Sequence, residues 1–181
     1  MADTILGAII AGGAARRFGS DKALADLGGR RLIDHAADAL CGAVDALVVC
    51  GREMEGGTCL GDRPQPGLGP LGGIAAALDH AHRNGFASVL TIGCDMPRVP
   101  GDLMARLIAT LPSYCADAPI LGHWPASAAD ALLRHIGPVG EAAGKNPRLS
   151  IRGWAEAVGA TPIAAATPLV NINTPADLAA L

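Results

Sequence analysis

The stretch Ile9-Ile10-Ala11-Gly12-Gly13-Ala14-Ala15-Arg16-Arg17-Phe18-Gly19-Ser20-Asp21-Lys22 carries an apolar run into a glycine turn and then into clustered cations. Glycine lets the backbone come close to a phosphate and aim its N–H groups at the anion, and Arg17 and Lys22 would neutralise the remaining charge. That chemistry suits a nucleoside triphosphate. Neither common phosphate fingerprint fits, because Gly13 and Gly19 are separated by five residues and Lys22 comes two residues too late for a Walker loop. The plainer alternative is a tight strand-to-helix turn followed by a solvated cationic face.

Further candidates lie downstream. Asp95 follows the apolar run 87–92 through Gly93 and Cys94 and is held by Met96-Pro97. Mg²⁺ is commonly bound by one or two carboxylates plus substrate phosphates, so Asp95 is a candidate Mg²⁺ ligand; a turn cap before Pro97 is the competing role. Asp62 lies upstream of a second glycine group, Gly67-Leu68-Gly69-Pro70-Leu71-Gly72-Gly73. Its oxygens suit a donor-rich edge such as N1 and N2 of guanine, while the glycines serve either an anion or close helix-on-sheet packing. Asn171 and Asn173 stand two apart in an expected strand and so point to one side, either toward a ligand or toward neighbouring loops. The five histidines show no metal-binding spacing, and no Ser-His-Asp or Cys-His set can be picked out by order.

These residues need a scaffold that brings them to one edge. Ile5 to Ile10, Ala46 to Cys50 and Ala87 to Ile92 read as short buried strands. Helical spacing occupies about 32–40, 71–82, 101–111, 128–136 and 149–158. Alternating strands and helices predict a single-domain three-layer α/β/α fold, Rossmann-like, with a mostly parallel sheet. In such sheets ligands gather at the carboxyl ends of the strands. Weaker strand patterns fall at 118–121, 161–165 and 169–173, with a loop at 137–147. Thr174 fits an N-cap, Pro175 the first helical position and Asp177 the first turn of a last helix. We expect one domain over residues 1–181, with 1–111 serving a nucleotide and 112–181 an acceptor.

A chain of 181 residues can bury a substantial core without staples. The net charge of −3 gives no basic footprint for nucleic acid or an anionic membrane. Five cysteines without a C-x-x-C pair suggest buried thiols in a reducing compartment. Asp3 stands where a signal peptide would be positive, and the run Ile5 to Ala15 is far shorter than the ~20 residues that span a bilayer. The expectation is a cytoplasmic protein with no membrane or nucleic-acid partner.

Taken together, Ile10-Ala11-Gly12-Gly13, Arg17-Phe18-Gly19, Asp21-Lys22-Ala23-Leu24, Gly69-Pro70-Leu71-Gly72-Gly73, Cys94-Asp95-Met96-Pro97 and Asn171-Ile172-Asn173-Thr174-Pro175-Ala176-Asp177-Leu178 resemble the molybdenum cofactor guanylyltransferases, Rossmann-like nucleotidyltransferases. Gly122-His123-Trp124-Pro125 is similar to that family's Gly-Leu-Trp-Pro segment. The resemblance implies that GMP passes from GTP to molybdopterin with release of pyrophosphate. It implies that Ile10, Ala11, Gly12 and Gly13 lie against the nucleotide, that Lys22 contacts it, that Asp62 helps read guanine and that Asp95 binds Mg²⁺. It puts Asn171 and Asn173 near the pterin acceptor, and Arg17, Lys22 and Asp95 in the catalytic roles. Partners that supply or receive the cofactor, including a molybdoenzyme, follow by the same resemblance.

The chain departs from the pattern in three places. Phe18 replaces a Met, Cys50-Gly51-Arg52 lacks an Asn so that its contact is absent or comes from Arg52, and Ser113 to Pro119 is compact where a polar, basic stretch is expected. A cytidylyltransferase is the nearest rival, although Ala11-Gly12-Gly13 favours guanylyl transfer over the Ala-Ala-Gly of cytidylyl relatives. Sugar-phosphate nucleotidyltransferases are generally longer. A non-catalytic nucleotide-binding adaptor would have no evident need for Lys22 and Asp95.

Overall fold

The computed structural model describes residues 4–12, 21–137 and 150–180. Its central strand, β1 (Ile5–Ile10), sends Leu6, Ala8 and Ile10 into one apolar cluster and Ile9 into another, the alternation expected of a strand covered on both faces. A small antiparallel pair, β2 (Asp26–Leu27) and β3 (Arg30–Arg31), leads into α1 (Leu32–Leu40). Next come β4 (Ala46–Cys50), β5 (Thr58–Leu60), α2 (Pro70–Arg83), β6 (Ser88–Gly93) and α3 (Gly101–Ile108). The second half supplies β7 (Ser113–Cys115), β8 (Gly122–Pro125), α4 (Ala129–Ile136), α5 (Ile151–Val158), β9 (Thr161–Ile163) and α6 (Pro175–Ala179).

Seven of these strands form one sheet in the order β5-β4-β1-β6-β8-β7-β9. The four strands from β5 to β6 are mutually parallel; β8 runs antiparallel to both β6 and β7, and β9 pairs parallel with β7. Leu71, Ile74 and Leu78 of α2, Leu132 of α4 and Trp154 of α5 cover one face. Ile33 of α1 with Leu103 and Leu107 of α3 cover the other. Each fully buried aliphatic side chain of this kind stabilises the fold by roughly 1.5–3 kcal/mol before the cost of ordering it. The three-layer, mostly parallel fold expected from the sequence is therefore present.

The second half departs from the expected boundaries. Residues 118–121 are the turn between β7 and β8, closed by the Leu121 N–H donating to the Ala118 carbonyl at 2.9 Å. Pro119 has no N–H for a ladder, and the strands instead flank it on either side. Residues 169–173 form no ladder either, although their alternation is kept: Ile172 is fully buried against Leu32 while Asn171 and Asn173 are exposed. The expected strand 161–165 stops at Ile163, and α3 stops at Ile108, ahead of Pro112. Most of the expected 137–147 loop lies outside the described residues. At α6 the expectation holds in detail, with Thr174 and Asp177 forming a reciprocal capping box behind Pro175. No helix among the described residues is long and apolar enough to cross a membrane.

Candidate active site

Register decides where the chemistry sits. Ile10 at the end of β1 is level with Cys50 of β4 on one side and Gly93 of β6 on the other. The residues that follow, Gly12, Gly51-Arg52 and Cys94-Asp95, therefore emerge together at the carboxyl edge, joined by Asp62 just beyond β5. Here the backbones of two neighbouring connections nearly touch. A Cβ on Gly51 would lie 2.4 Å from the Gly12 Cα, and Gly51 has φ +84°, a conformation that favours glycine. The Ala11 N–H donates to the Cys50 carbonyl at 3.0 Å and fixes the start of the loop.

Lys22 reaches this edge from a short 3₁₀ turn, Lys22–Leu24, which Asp21 caps by accepting from the Ala23 N–H at 3.2 Å. Its Nζ donates to Asp95 Oδ2 at 2.9 Å and to Asn173 Oδ1 at 3.2 Å. Asp95 in turn accepts, through its backbone carbonyl, the Ile172 N–H at 3.0 Å, so the segment before α6 is tied to the end of β6. Two oxygens from distant parts of the chain thus converge on one cation. Ala11, Gly12, Lys22 and Asp95 line a depression of about 250 Å³.

Two further depressions flank it. Arg52, Asp62 and Pro66 line one of about 350 Å³. Gly72 at the start of α2 backs Asp62 so closely that a Cβ there would lie 2.9 Å from its Cβ and Cγ. Burial pushes the Asp62 carboxyl above its ordinary value, partly offset by the Gly67 N–H. On the other side Asp117, Arg152 and Asn171 line a depression of about 370 Å³ that shares Pro70 and Ile120 with the central one. Ile120 is held from below: the Thr91 hydroxyl donates to its carbonyl at 2.8 Å and accepts from the Trp124 indole at 3.1 Å.

The cysteines at the site are not arranged as nucleophiles. Burial pushes the Cys94 thiol up to about 11, with the Asp95 carboxylate adding to it, and burial pushes Cys50 up to about 12. Among the described residues no three His, Cys, Asp or Glu side chains converge on a metal position. A divalent ion would therefore rest on Asp95, on the Asn173 oxygen and on oxygens brought by a substrate.

Of the residues picked out from sequence, the structure gathers Ile10, Ala11, Gly12, Lys22, Asp95 and Asn173 at the central depression, with Asp62 at one flank and Asn171 at the other. Of the expectation for the two asparagines only the strand is corrected: they keep the alternation about buried Ile172 in a segment without a ladder, Asn173 bonded to Lys22 and Asn171 lining the flanking depression. Gly13 and Arg17 lie outside the described residues. Sequence reasoning gave no role to Asp21, which caps the Lys22 turn, nor to Asp117 and Arg152. The only local signal was the charge at Arg52 directly after a strand-ending glycine.

Over residues 7–157 the chain matches the model of the MobA-like NTP transferase domain. A molybdenum cofactor guanylyltransferase of Acidiphilium cryptum (strain JF-5) is 38% identical, the alignment covering 94% of this chain and 90% of that one. Among solved structures, molybdopterin-guanine dinucleotide biosynthesis protein A from Archaeoglobus fulgidus superposes with a TM-score of 0.63 at 24% identity, over 97% of this chain and 95% of that one. A protein of Mycobacterium tuberculosis H37Rv solved in complex with manganese gives a TM-score of 0.58 at 15% identity, covering 98% and 97% of the two chains. These structural likenesses bear on the fold.

Proposed function

The chain belongs to the MobA-like NTP transferase family and is a nucleotidyltransferase, and we propose that it transfers GMP from GTP to molybdopterin, releasing pyrophosphate and forming molybdopterin guanine dinucleotide. The observation that carries this reading is the meeting of Lys22, Asp95 and the Gly12 turn in one depression, with Asp62 standing in the next.

Guanine presents N–H donors at N1 and N2, and the Asp62 carboxylate is the acceptor that suits them. The triphosphate lies over Ala11, Gly12 and Gly13, and Lys22 leaves its carboxylate and amide partners to meet phosphate oxygens. Arg17 adds charge to the same group. An oxygen of the molybdopterin phosphate attacks the α-phosphorus in line; the bond to the bridging oxygen breaks, and its electron pair leaves on pyrophosphate. The attacking phosphate is already anionic near neutral pH, so no protein nucleophile is required. Positioning and fixed positive charge do most of the work.

The oxygens of Asp95 and Asn173 already share one cation, Lys22 Nζ, so this donor set fits Mg²⁺, with Asp95 the main ligand. When bound, Mg²⁺ would neutralise phosphate charge that Lys22 and Arg17 leave uncompensated. The acceptor takes the depression beside Asn171, next to the α-phosphate across Pro70 and Ile120. Residues 1–111 then serve the nucleotide and 112–181 the acceptor, with Asn173 reaching back across that division. Free thiols and a net charge of −3 suit a cytoplasmic enzyme that hands its product to a molybdoenzyme or a cofactor-handling protein.

Calorimetric titration with GTP, CTP and ATP in the presence of Mg²⁺ tests the reading. Selective binding of GTP, lost in Asp62→Ala and Lys22→Ala, supports it and leads to the transfer assay with molybdopterin. Selective binding of CTP would point to cytidylyl transfer, and GTP binding without any transfer to molybdopterin would favour an adaptor.

A further inference from the structure

Arg52 makes the most complete side-chain ion pair at the carboxyl edge. Its Nη1 donates to Asp21 Oδ1 at 2.7 Å and its Nη2 to Asp21 Oδ2, the two-pronged geometry that a guanidinium forms and an ammonium does not. The Arg52 side chain is only 16% exposed while that of Asp21 is 48% exposed. The Arg52 Nε is buried and has no partner among the described residues.

Asp21 is not an isolated surface carboxylate. The same Oδ1 that Arg52 grips also accepts from the Ala23 N–H, and so caps the turn that carries Lys22. Lys22 Nζ, at the far side of that turn, lies on Asp95 and Asn173. Meanwhile the residue just before Arg52, Gly51, lies against Gly12. Both the start of the glycine loop, at Gly12, and its exit, at Asp21, are thus fastened to two consecutive residues at the end of β4.

We infer that Arg52 is a positioning residue for nucleotidyl transfer, holding Asp21 and through it the turn that presents the Lys22 ammonium to phosphate oxygens in the central depression. It acts without touching the reacting atoms. This rests on the proposed use of Lys22 at the triphosphate, and deepens it. Because about 1 Å of misplacement in a reacting constellation can cost on the order of a hundredfold in rate, Arg52→Ala lowers kcat/KM for GTP by roughly ten- to a hundredfold. Arg52→Lys keeps the charge but not the fork and falls between the two.

The decisive experiment is a double-mutant cycle of Arg52→Ala with Lys22→Ala, read as kcat/KM for guanylyl transfer and as GTP affinity by calorimetry, with folding checked by thermal melting. If Arg52 acts through Lys22, its removal costs little once Lys22 is already gone, and millimolar guanidinium ion restores part of the activity of Arg52→Ala but none of that of Lys22→Ala. Equal losses in both backgrounds, or an Arg52→Ala enzyme with unchanged GTP affinity and kcat/KM, would overturn the inference. Should Arg52→Ala not fold, Arg52→Lys carries the same cycle. Failure of the wild-type protein to bind GTP would instead sink the functional reading on which the inference rests.

Discussion

Replacing Gly72 by Ala alters one methyl group three residues into a helix, and the contacts around it set the size of the effect. The added Cβ would lie 2.9 Å from the Asp62 Cβ and Cγ and 3.2 Å from Oδ2, whereas ordinary contact begins at 3.4 Å. Asp62 must therefore retreat by about half an ångström, and its Oδ1 already borders Gly12 and Gly51 on the other side. Alanine gains up to about 1 kcal/mol of helix propensity over glycine, while overpacking costs about 1–3 kcal/mol. With the full propensity gain the net loss is about 0–2 kcal/mol, so the melting temperature falls by roughly 0–8 °C. Recognition suffers more, because the displaced carboxylate no longer meets the base, and GTP affinity drops roughly tenfold by the scale on which 1 Å costs about a hundredfold. ITP isolates the cause, since inosine lacks the 2-amino group. The wild-type protein should prefer GTP to ITP by calorimetry, and Gly72→Ala should narrow that gap by weakening GTP more than ITP. A well-folded variant with wild-type GTP affinity and an unchanged GTP-to-ITP ratio would refute the assignment of Asp62 to the base.

Two other outcomes are expected. Asp95→Asn keeps the backbone bond from Ile172 but loses the charge opposite Lys22; its kcat for guanylyl transfer should fall by about 10²–10³ with little change in melting temperature, and near-normal turnover at fixed Mg²⁺ would remove Asp95 from the mechanism. His123, 3% exposed between the Ser88 hydroxyl and the Leu107 carbonyl, is held below 6.5 by burial. The unfolded chain then binds the proton more readily, so stability should fall as pH drops from 6.5 toward the lowered folded value. Melting curves of the wild type and His123→Gln over that window test this, a shallower slope being expected in the variant.

How far the sequence reveals all this depends on how local each signal is. The runs 5–10, 46–50 and 87–92 are dense in aliphatic side chains because parallel strands are covered on both faces, so their strand character is readable without tertiary knowledge. The Thr174-Pro175-Ala176-Asp177 cap is legible because its partners are three residues apart. Residues 169–173 mislead for the opposite reason, having the alternation of a strand but the Ile172-to-Asp95 backbone bond in place of a ladder. The run 118–121 misleads as well, because its apolar residues pack in a turn between two very short strands. At the site, the glycine turn, Lys22 and Asp95 are named by residue type. The Arg52 fork is another matter: its partner is 31 residues away, and only the folded register of β4 beside β1 brings them together.

The bond from Lys22 to Asn173 joins residues 151 positions apart. A ribosome adding ~5–20 residues per second needs roughly 8–30 s to make that span, far longer than local folding steps take. During that interval the nascent chain can already hold Lys22 on Asp95, since the parallel strands β1, β4 and β6 that carry them are complete by residue 93. The amide oxygen arrives last, with the Ile172 backbone bond that pins it. A newborn chain is thus equipped to form the ammonium-carboxylate pair well before it can offer a second oxygen to a cation, and the synthesis of Asn173 sets the moment at which that oxygen can join the triphosphate site.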